Sequence, residues 1–254
     1  MKGSRRAPGA FLLWLAPARP NPHKVAMSHD LTPGRPSQRL ADIGRIVATR
    51  LDAAPGVFKA DSSQIELYYA EQWLTEEECT QLVAMIEADR VPSELMGDPG
   101  DPEFRNSESC NLDRWNPVVN RIDTRISDMF GLPHENGETV QGQRYAPGQQ
   151  FKVHSDYLHP DLPGYSDAQW AGGQRSWTAM IYLNAPEGGG ETDFPYAGLR
   201  VQPRAGMLLA WNNMNPDGGY NPMTHHQGMT VSAGVKYIIT KWFREERWLP
   251  EFKR

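Results

Sequence analysis

Two cysteines, Cys79 and Cys110, are all that 254 residues contain, and they stand in no metal-ligand spacing. Thiolate metal sites are thereby excluded, a single disulfide is the most the chain could close, and the scarcity points to a reducing compartment. Cationic charge is in deficit: 26 Lys and Arg against 31 Asp and Glu leave a net charge of −5. That balance gives no bulk attraction to a polyanion, and without a basic stripe a nucleic-acid substrate is disfavoured. Apolar runs are short, and none approaches the ~20 residues that cross a bilayer. The most suggestive is Phe11–Leu15, behind Lys2, Arg5 and Arg6, and it is shorter than the apolar region of a secretory leader. Met27 offers a second start, so residues 1–26 read as an upstream extension. Six prolines between Pro8 and Pro36 argue against regular structure over residues 1–37, and a disordered, cytoplasmic N-terminus is expected.

What is present suits one decorated domain. Hydrophobic residues make up 39% of the chain and include eight Trp, enough for a sizeable interior. Leu40, Ile43, Ile46, Val47 and Leu51 recur at helical spacing. Residues 65–74 alternate as a strand, and Thr75 with Glu78 then forms a capping box before a helix that buries Leu82, Val83 and Ile86. Asn116-Pro117 opens a third helix carrying Val119, Ile122, Ile126 and Met129, closed by Gly131. Beyond it the texture turns β. Short strands are expected at 139–145, 149–156, 176–184, 192–194, 199–201, 206–211, 228–231 and 235–244, separated by glycine and proline turns. The class is therefore mainly β with flanking helices (α+β), a jelly-roll-like core packed by N-terminal helices. Residues 38–135 form the supporting region and 136–254 the core.

Within the strand at 149–156 stands His154-Ser155-Asp156. Residues two apart on a strand share a face, so an imidazole nitrogen and a carboxylate oxygen would project together as two thirds of a metal site. Of the other histidines, His23 and His29 lie in the proline-rich tail and His134 follows Pro133. A rival His159-Pro160-Asp161 is interrupted by proline, and no ladder enforces a shared face there. The third ligand is expected from the segment holding His225 and His226. Two histidines and one acid with open positions suit a non-haem Fe(II) oxygenase, although a zinc hydrolase could use the same three.

Five stretches then carry a resemblance: QRYAPGQQFKVHSDY, GGQRSWTAMIYLN, GGGETDFP, VQPRAGMLLAW and HQGMTVSAGVKYIITKW. In this order and spacing, over the last two thirds of the chain, they resemble the prolyl 4-hydroxylase-type Fe(II)/2-oxoglutarate-dependent dioxygenases, whose core is a double-stranded β-helix. The resemblance implies His226 as the second histidine, with Lys236 ten residues later clasping the far carboxylate of 2-oxoglutarate. The apolar surroundings of Lys236 agree, since a bare ammonium there would be costly. His225 would face the other way and serve at the rim or behind the ligands. Tyr145, Thr178 and Tyr182 are implied near the co-substrate; their hydroxyls suit a carboxylate, and core packing is the plain alternative. Arg175 and Trp242 match positions bordering a peptide groove, with an ion pair and a core site as alternatives. Residues 188–192 read as a turn entering a strand.

The resemblance implies an enzyme that binds Fe(II) through His154, Asp156 and His226 and anchors 2-oxoglutarate on Lys236. With O2 it would release succinate and CO2 and hydroxylate a C–H bond, L-ascorbate being the reductant such enzymes commonly use. Asp156 argues against the halogenating relatives, which need a vacated ligand position. A prolyl residue in a protein or peptide is the implied substrate. A free amino acid or small metabolite is the first alternative, and a non-redox jelly-roll metal-binding module the second. Three departures bear on the substrate: Thr230 stands where proline is usual, Arg244 where some peptide hydroxylases have histidine, and His225 in place of a usual leucine. The long connection 159–173 could serve as a lid.

Overall fold

The computed structural model describes residues 33–94, 100–159 and 172–248, together with the backbone of Leu13–Trp14. In chain order the elements are β1 (Leu13–Trp14), α1 (Gln38–Ala53), β2 (Phe58–Lys59), β3 (Leu67–Ala70), α2 (Glu76–Asp89), β4 (Val91–Pro92), β5 (Glu108–Asn111) and α3 (Pro117–Phe130). They continue as β6 (Gln141–Tyr145), β7 (Phe151–His154), β8 (Arg175–Tyr182), β9 (Gly188–Gly189), β10 (Thr192–Phe194), β11 (Leu199–Val201) and β12 (Leu208–Asn212). Last come β13 (His226–Gly228), β14 (Val231–Ala233) and β15 (Lys236–Arg244).

An eight-stranded sheet runs β2-β3-β12-β8-β15-β6-β5-β4, a five-stranded sheet runs β1-β11-β10-β13-β7, and β14 pairs with β9. The period-2 alternation of β8 and β15, paired antiparallel at the centre of the large sheet, divides the molecule into layers. Trp177, Ala179, Ile181, Ile239 and Phe243 point outward to α1, α2 and α3 and form one core with Val47, Leu51, Leu82, Ile86, Val119, Ile122 and Ile126. Met180, Tyr182 and Ile238 point inward and meet Phe194, Leu199, Val201 and Val231 in a second core. This is the double-stranded β-helix with helices on one face.

The helix signals hold. Thr75 and Glu78 exchange capping-box hydrogen bonds, Asn116 Oδ1 accepts from Val118 N–H, and Gly131 ends α3 at φ 67°. The positive φ favours glycine there, while a Cβ would only push aside the flexible Arg50 side chain, whose Cδ lies 2.1 Å from its place. Ile46 is a correction. It lies about 100° round the helix from Val47 and is 49% exposed.

The small strands β2, β4, β5 and β9 carry no alternation long enough to announce them. The strand expected at 228–231 breaks at Met229-Thr230, so β13 joins the small sheet while β14 pairs with β9. At the N-terminus Leu13–Trp14 pairs with β11 where irregular chain was expected, since the stretch between Pro8 and Pro17 has no proline to block a ladder. The rest of residues 1–32 lies outside the described residues. Cys79 and Cys110 are both buried free thiols.

Candidate active site

Antiparallel pairing of β7 with β13 sets His154 directly opposite His226, with ring centroids 4.3 Å apart. Each imidazole donates its Nδ1–H to a carbonyl two residues upstream, His154 to Lys152 at 2.8 Å and His226 to Thr224 at 3.1 Å. That fixes the tautomer and leaves both Nε2 lone pairs for a metal. Burial, helped by neighbouring His226, holds the pKa of His154 well below its ordinary value, so the ring is the neutral form a metal needs.

Asp156 completes the set by a route other than the expected one. β7 ends at His154, where a turn with Tyr157 N–H donating to Ser155 Oγ peels the chain away, so strand parity does not aim this carboxylate. A hydrogen bond does: Thr178 Oγ donates to Asp156 Oδ2 at 2.7 Å, and Asn213 Nδ2 donates to Thr178 Oγ at 3.1 Å. One ligand atom from each of His154, Asp156 and His226 lies within 4.8 Å of the others. Two neutral imidazoles and a carboxylate, sharing one face beside an open cavity, fit a ferrous ion with exchangeable positions.

An open cavity lies between the sheets and carries Lys236 on its wall. Lys236 is 1% exposed, with its ammonium 5.2 Å from the ring centre of Tyr145 and 5.4 Å from that of Tyr182. No hydrogen bond or ion pair reaches it among the described residues. Burial lowers its pKa to about 7, and the charge of Glu191 opposes that only in part. A cation held at this cost fits an anionic ligand. Tyr145 also lines the cavity, but its hydroxyl donates to Gln143 Oε1 at 2.7 Å, leaving its oxygen as an acceptor.

Thr178 and Tyr182 have protein partners in this structure. The Thr178 hydroxyl is committed to Asp156, and the Tyr182 hydroxyl donates to Thr192 Oγ at 2.6 Å, its ring forming part of the surface beneath Lys236. Neither hydroxyl is placed as a donor to a diacid.

Arg175 takes the ion-pair alternative. Its Nε and Nη2 bond both oxygens of Glu138, at 2.6 and 2.7 Å, while Arg244 Nε lies 2.5 Å from the same carboxylate. Burial pushes the Glu138 carboxyl up, but the two guanidinium groups overcome it and hold the pKa below the carboxylate range. The Arg175 guanidinium stacks 4.0 Å from the ring centre of Trp242, which lines the cavity. Glu138→Gln would leave two buried guanidinium groups short of a counter-charge. It is expected to lower unfolding stability by about 3–5 kcal/mol, read by urea denaturation; wild-type stability would show that the pair is dispensable.

The remaining histidines stand apart. His225 is buried rather than at a rim, its Nδ1 donating to the Pro222 carbonyl at 2.8 Å. His134 faces Asp123 at 3.4 Å, and His159 packs edge-on to Tyr157 and Tyr220. Asp161 and most of the 159–173 connection lie outside the described residues, as do His23 and His29. Cavity residues not anticipated include Gln143, Thr240 and Arg105. The first two share strand faces with Tyr145 and Lys236, so parity could have found them; Arg105 precedes the β region and carried no such signal.

Fold and site together define a 2-oxoglutarate- and Fe(II)-dependent oxygenase, and residues 140–244 match the 2OG-Fe(II) oxygenase superfamily. The chain is 32% identical over 214 residues to probable prolyl 4-hydroxylase 4 of Arabidopsis thaliana, covering 74% of this chain and 70% of that protein. To prolyl 4-hydroxylase 5 of the same plant it is 34% identical over 195 residues, covering 67% of this chain and 65% of that protein. A solved structure of the viral collagen prolyl hydroxylase of Paramecium Bursaria Chlorella virus-1, with 2OG, superposes at TM-score 0.55 and 29% identity, covering 70% of this chain and 95% of that one. The chain belongs to the prolyl 4-hydroxylase family of these dioxygenases, and spans about two thirds of the length of the plant relatives.

Proposed function

We propose that this chain hydroxylates a prolyl residue in a protein or peptide, consuming 2-oxoglutarate and O2 and releasing succinate and CO2. The observation that carries the reading is the convergence of His154, Asp156 and His226 on a cavity whose wall holds the buried ammonium of Lys236. The prolyl substrate is carried over from the plant and viral relatives.

In this reading His154, Asp156 and His226 hold Fe(II), and Lys236 holds the distal carboxylate of 2-oxoglutarate. The metal, when bound, supplies the O2-dependent oxidative chemistry. The protein's own contribution is position. Phe151 stacks on His154 at 3.5 Å, and Trp211 and Phe194 flank His226 at 4.8 and 5.5 Å, packing apolar surface against both imidazoles. Lys236 fixes one end of the co-substrate, so its other end is oriented toward the metal.

Thr178 acts through Asp156. Thr178→Val keeps the shape and removes the donor, and is expected to weaken Fe(II) affinity about 10–100-fold. Anaerobic metal titration checks this; unchanged affinity would show that the hydroxyl does not hold the carboxylate. The substrate is tested by mass spectrometry of proline-containing peptides and free amino acids incubated with Fe(II) and 2-oxoglutarate. One added oxygen on a peptidyl proline is the expected outcome, and oxygen found solely on a free amino acid would replace the reading with a small-molecule one.

A further inference from the structure

One cation on the cavity wall has no role in the chemistry described so far. Arg105 enters from the segment that crosses the edge of the small sheet, where it bridges to Phe151, and its guanidinium lies 4.7 Å from the Phe151 ring centre. Among the described residues three of its five N–H groups are used, all on neutral acceptors: Ser107 Oγ at 3.2 Å, the Glu94 carbonyl at 3.3 Å and Gln141 Oε1 at 3.2 Å. These residues leave one N–H uncommitted on each terminal nitrogen. Among the described residues no carboxylate forms an ion pair with it, whereas Arg175 and Arg244 both close on Glu138. Burial pulls the Arg105 pKa below the ordinary value, which marks a charge short of compensation.

The charges of the loaded site leave Arg105 over. Two positive charges on the metal and one on Lys236 balance two on the co-substrate and one on Asp156. Nor does Arg105 sit beside Lys236. The wall between them is a hydrogen-bonded row on one face of β6, in which Arg105 bonds Gln141, Gln143 bonds Gln141 at 3.1 Å, and Tyr145 bonds Gln143. The cavity thus has a cation at each end of that row, and the co-substrate accounts for one. Gln143 and Thr240, the other polar groups on this stretch, are uncharged and bonded to each other at 3.3 Å.

We propose that Arg105 selects substrates carrying a carboxylate close to the target proline, either an acidic residue beside it or the free carboxyl terminus of the peptide. This rests on the prolyl-hydroxylation reading above and sharpens it to a charge class. Arginine suits the task because its planar fork pairs a carboxylate through two parallel N–H bonds.

The test compares three short peptides that share one proline: one with Glu beside it, one with Gln in its place, both amidated at the C-terminus, and the Gln peptide with a free C-terminal carboxylate. Binding is measured by calorimetry on the full chain loaded with Mn(II) and 2-oxoglutarate, and oxygen addition by mass spectrometry with Fe(II). The expected result is that at least one carboxylate-bearing peptide binds about tenfold or more tightly than the neutral one. That ratio should fall to near one in Arg105→Gln and survive largely in Arg105→Lys, both variants being checked for a wild-type melting temperature. Which arm shows the preference identifies the source of the carboxylate. Equal binding of all three by the wild type, a preference that persists in Arg105→Gln, or no binding of any would overturn the proposal. So would an Arg105→Gln variant that loses affinity for 2-oxoglutarate itself, since that assigns Arg105 to the co-substrate. A binding preference without oxygen on any peptide would leave Arg105 as the carboxylate selector and overturn the prolyl reading instead.

Discussion

Asp156→Ala is expected to abolish 2-oxoglutarate turnover, with succinate release falling to the level of protein-free controls. The carboxylate is the anionic member of the donor set and sits 3.8 Å from His226 Nε2. Its loss leaves two neutral imidazoles, which hold a divalent ion far less firmly than a set that includes a formal negative charge. The loss should exceed the 10–100-fold that removal of a supporting partner typically costs. The fold should survive, because the carboxylate's internal bond is to Thr178, whose hydroxyl still accepts from Asn213. Circular dichroism and a thermal melt separate the two effects. A folded Asp156→Ala protein releasing succinate at the wild-type rate would remove Asp156 from the metal site.

Lys236→Met should produce the second large effect, and in two directions. Methionine has similar length and no charge, so the penalty of burying an ammonium disappears and the unliganded protein should melt at a higher temperature below pH 7. Affinity for 2-oxoglutarate should nevertheless fall about 30-fold to a few thousand-fold, the range for removing one partner of a buried charge pair. The pH dependence follows from the same residue. Its folded pKa of about 7 lies below the ordinary lysine value of 10.5, so between those values the unfolded chain binds more protons than the folded one. Stability of the unliganded protein should therefore rise with pH through that window, and the rise should be smaller in Lys236→Met. Binding of a diacid needs the protonated form, so 2-oxoglutarate affinity is level below pH 7 and weakens about tenfold per pH unit above it, with uptake of about one proton at pH 8. Calorimetry in buffers of different ionisation enthalpy measures that uptake directly. Affinity independent of pH from 6 to 9 would show that Lys236 does not meet the diacid.

How far the sequence reaches is seen in the strands themselves. In β15 the alternation of Lys236, Ile238, Thr240 and Trp242 with Tyr237, Ile239, Lys241 and Phe243 is legible by parity, and one set lines the cavity while the other turns toward the helices. His226 and Lys236 follow from motif spacing, and the structure sets them on one cavity because β13 and β15 belong to facing sheets. Parity fails where strands end. Asp156 lies past the last residue of β7, and a tertiary hydrogen bond from β8 supplies the aim that the ladder does not. For that reason Thr178 could be located as inward-facing while its partner could not be named. Arg175 was similarly open between groove and ion pair, because its partner Glu138 is 37 residues away and belongs to no motif. Arg105, ahead of the β region, becomes visible only once its segment is seen crossing Phe151.

The most direct measurement is a crystal structure of the full chain with Mn(II) and 2-oxoglutarate, the metal located by its anomalous scattering. The account predicts one ion bonded to His154, Asp156 and His226, with the diacid chelating it and its distal carboxylate on Lys236. A metal bound elsewhere, or a diacid that leaves the Lys236 ammonium without a partner, would contradict it.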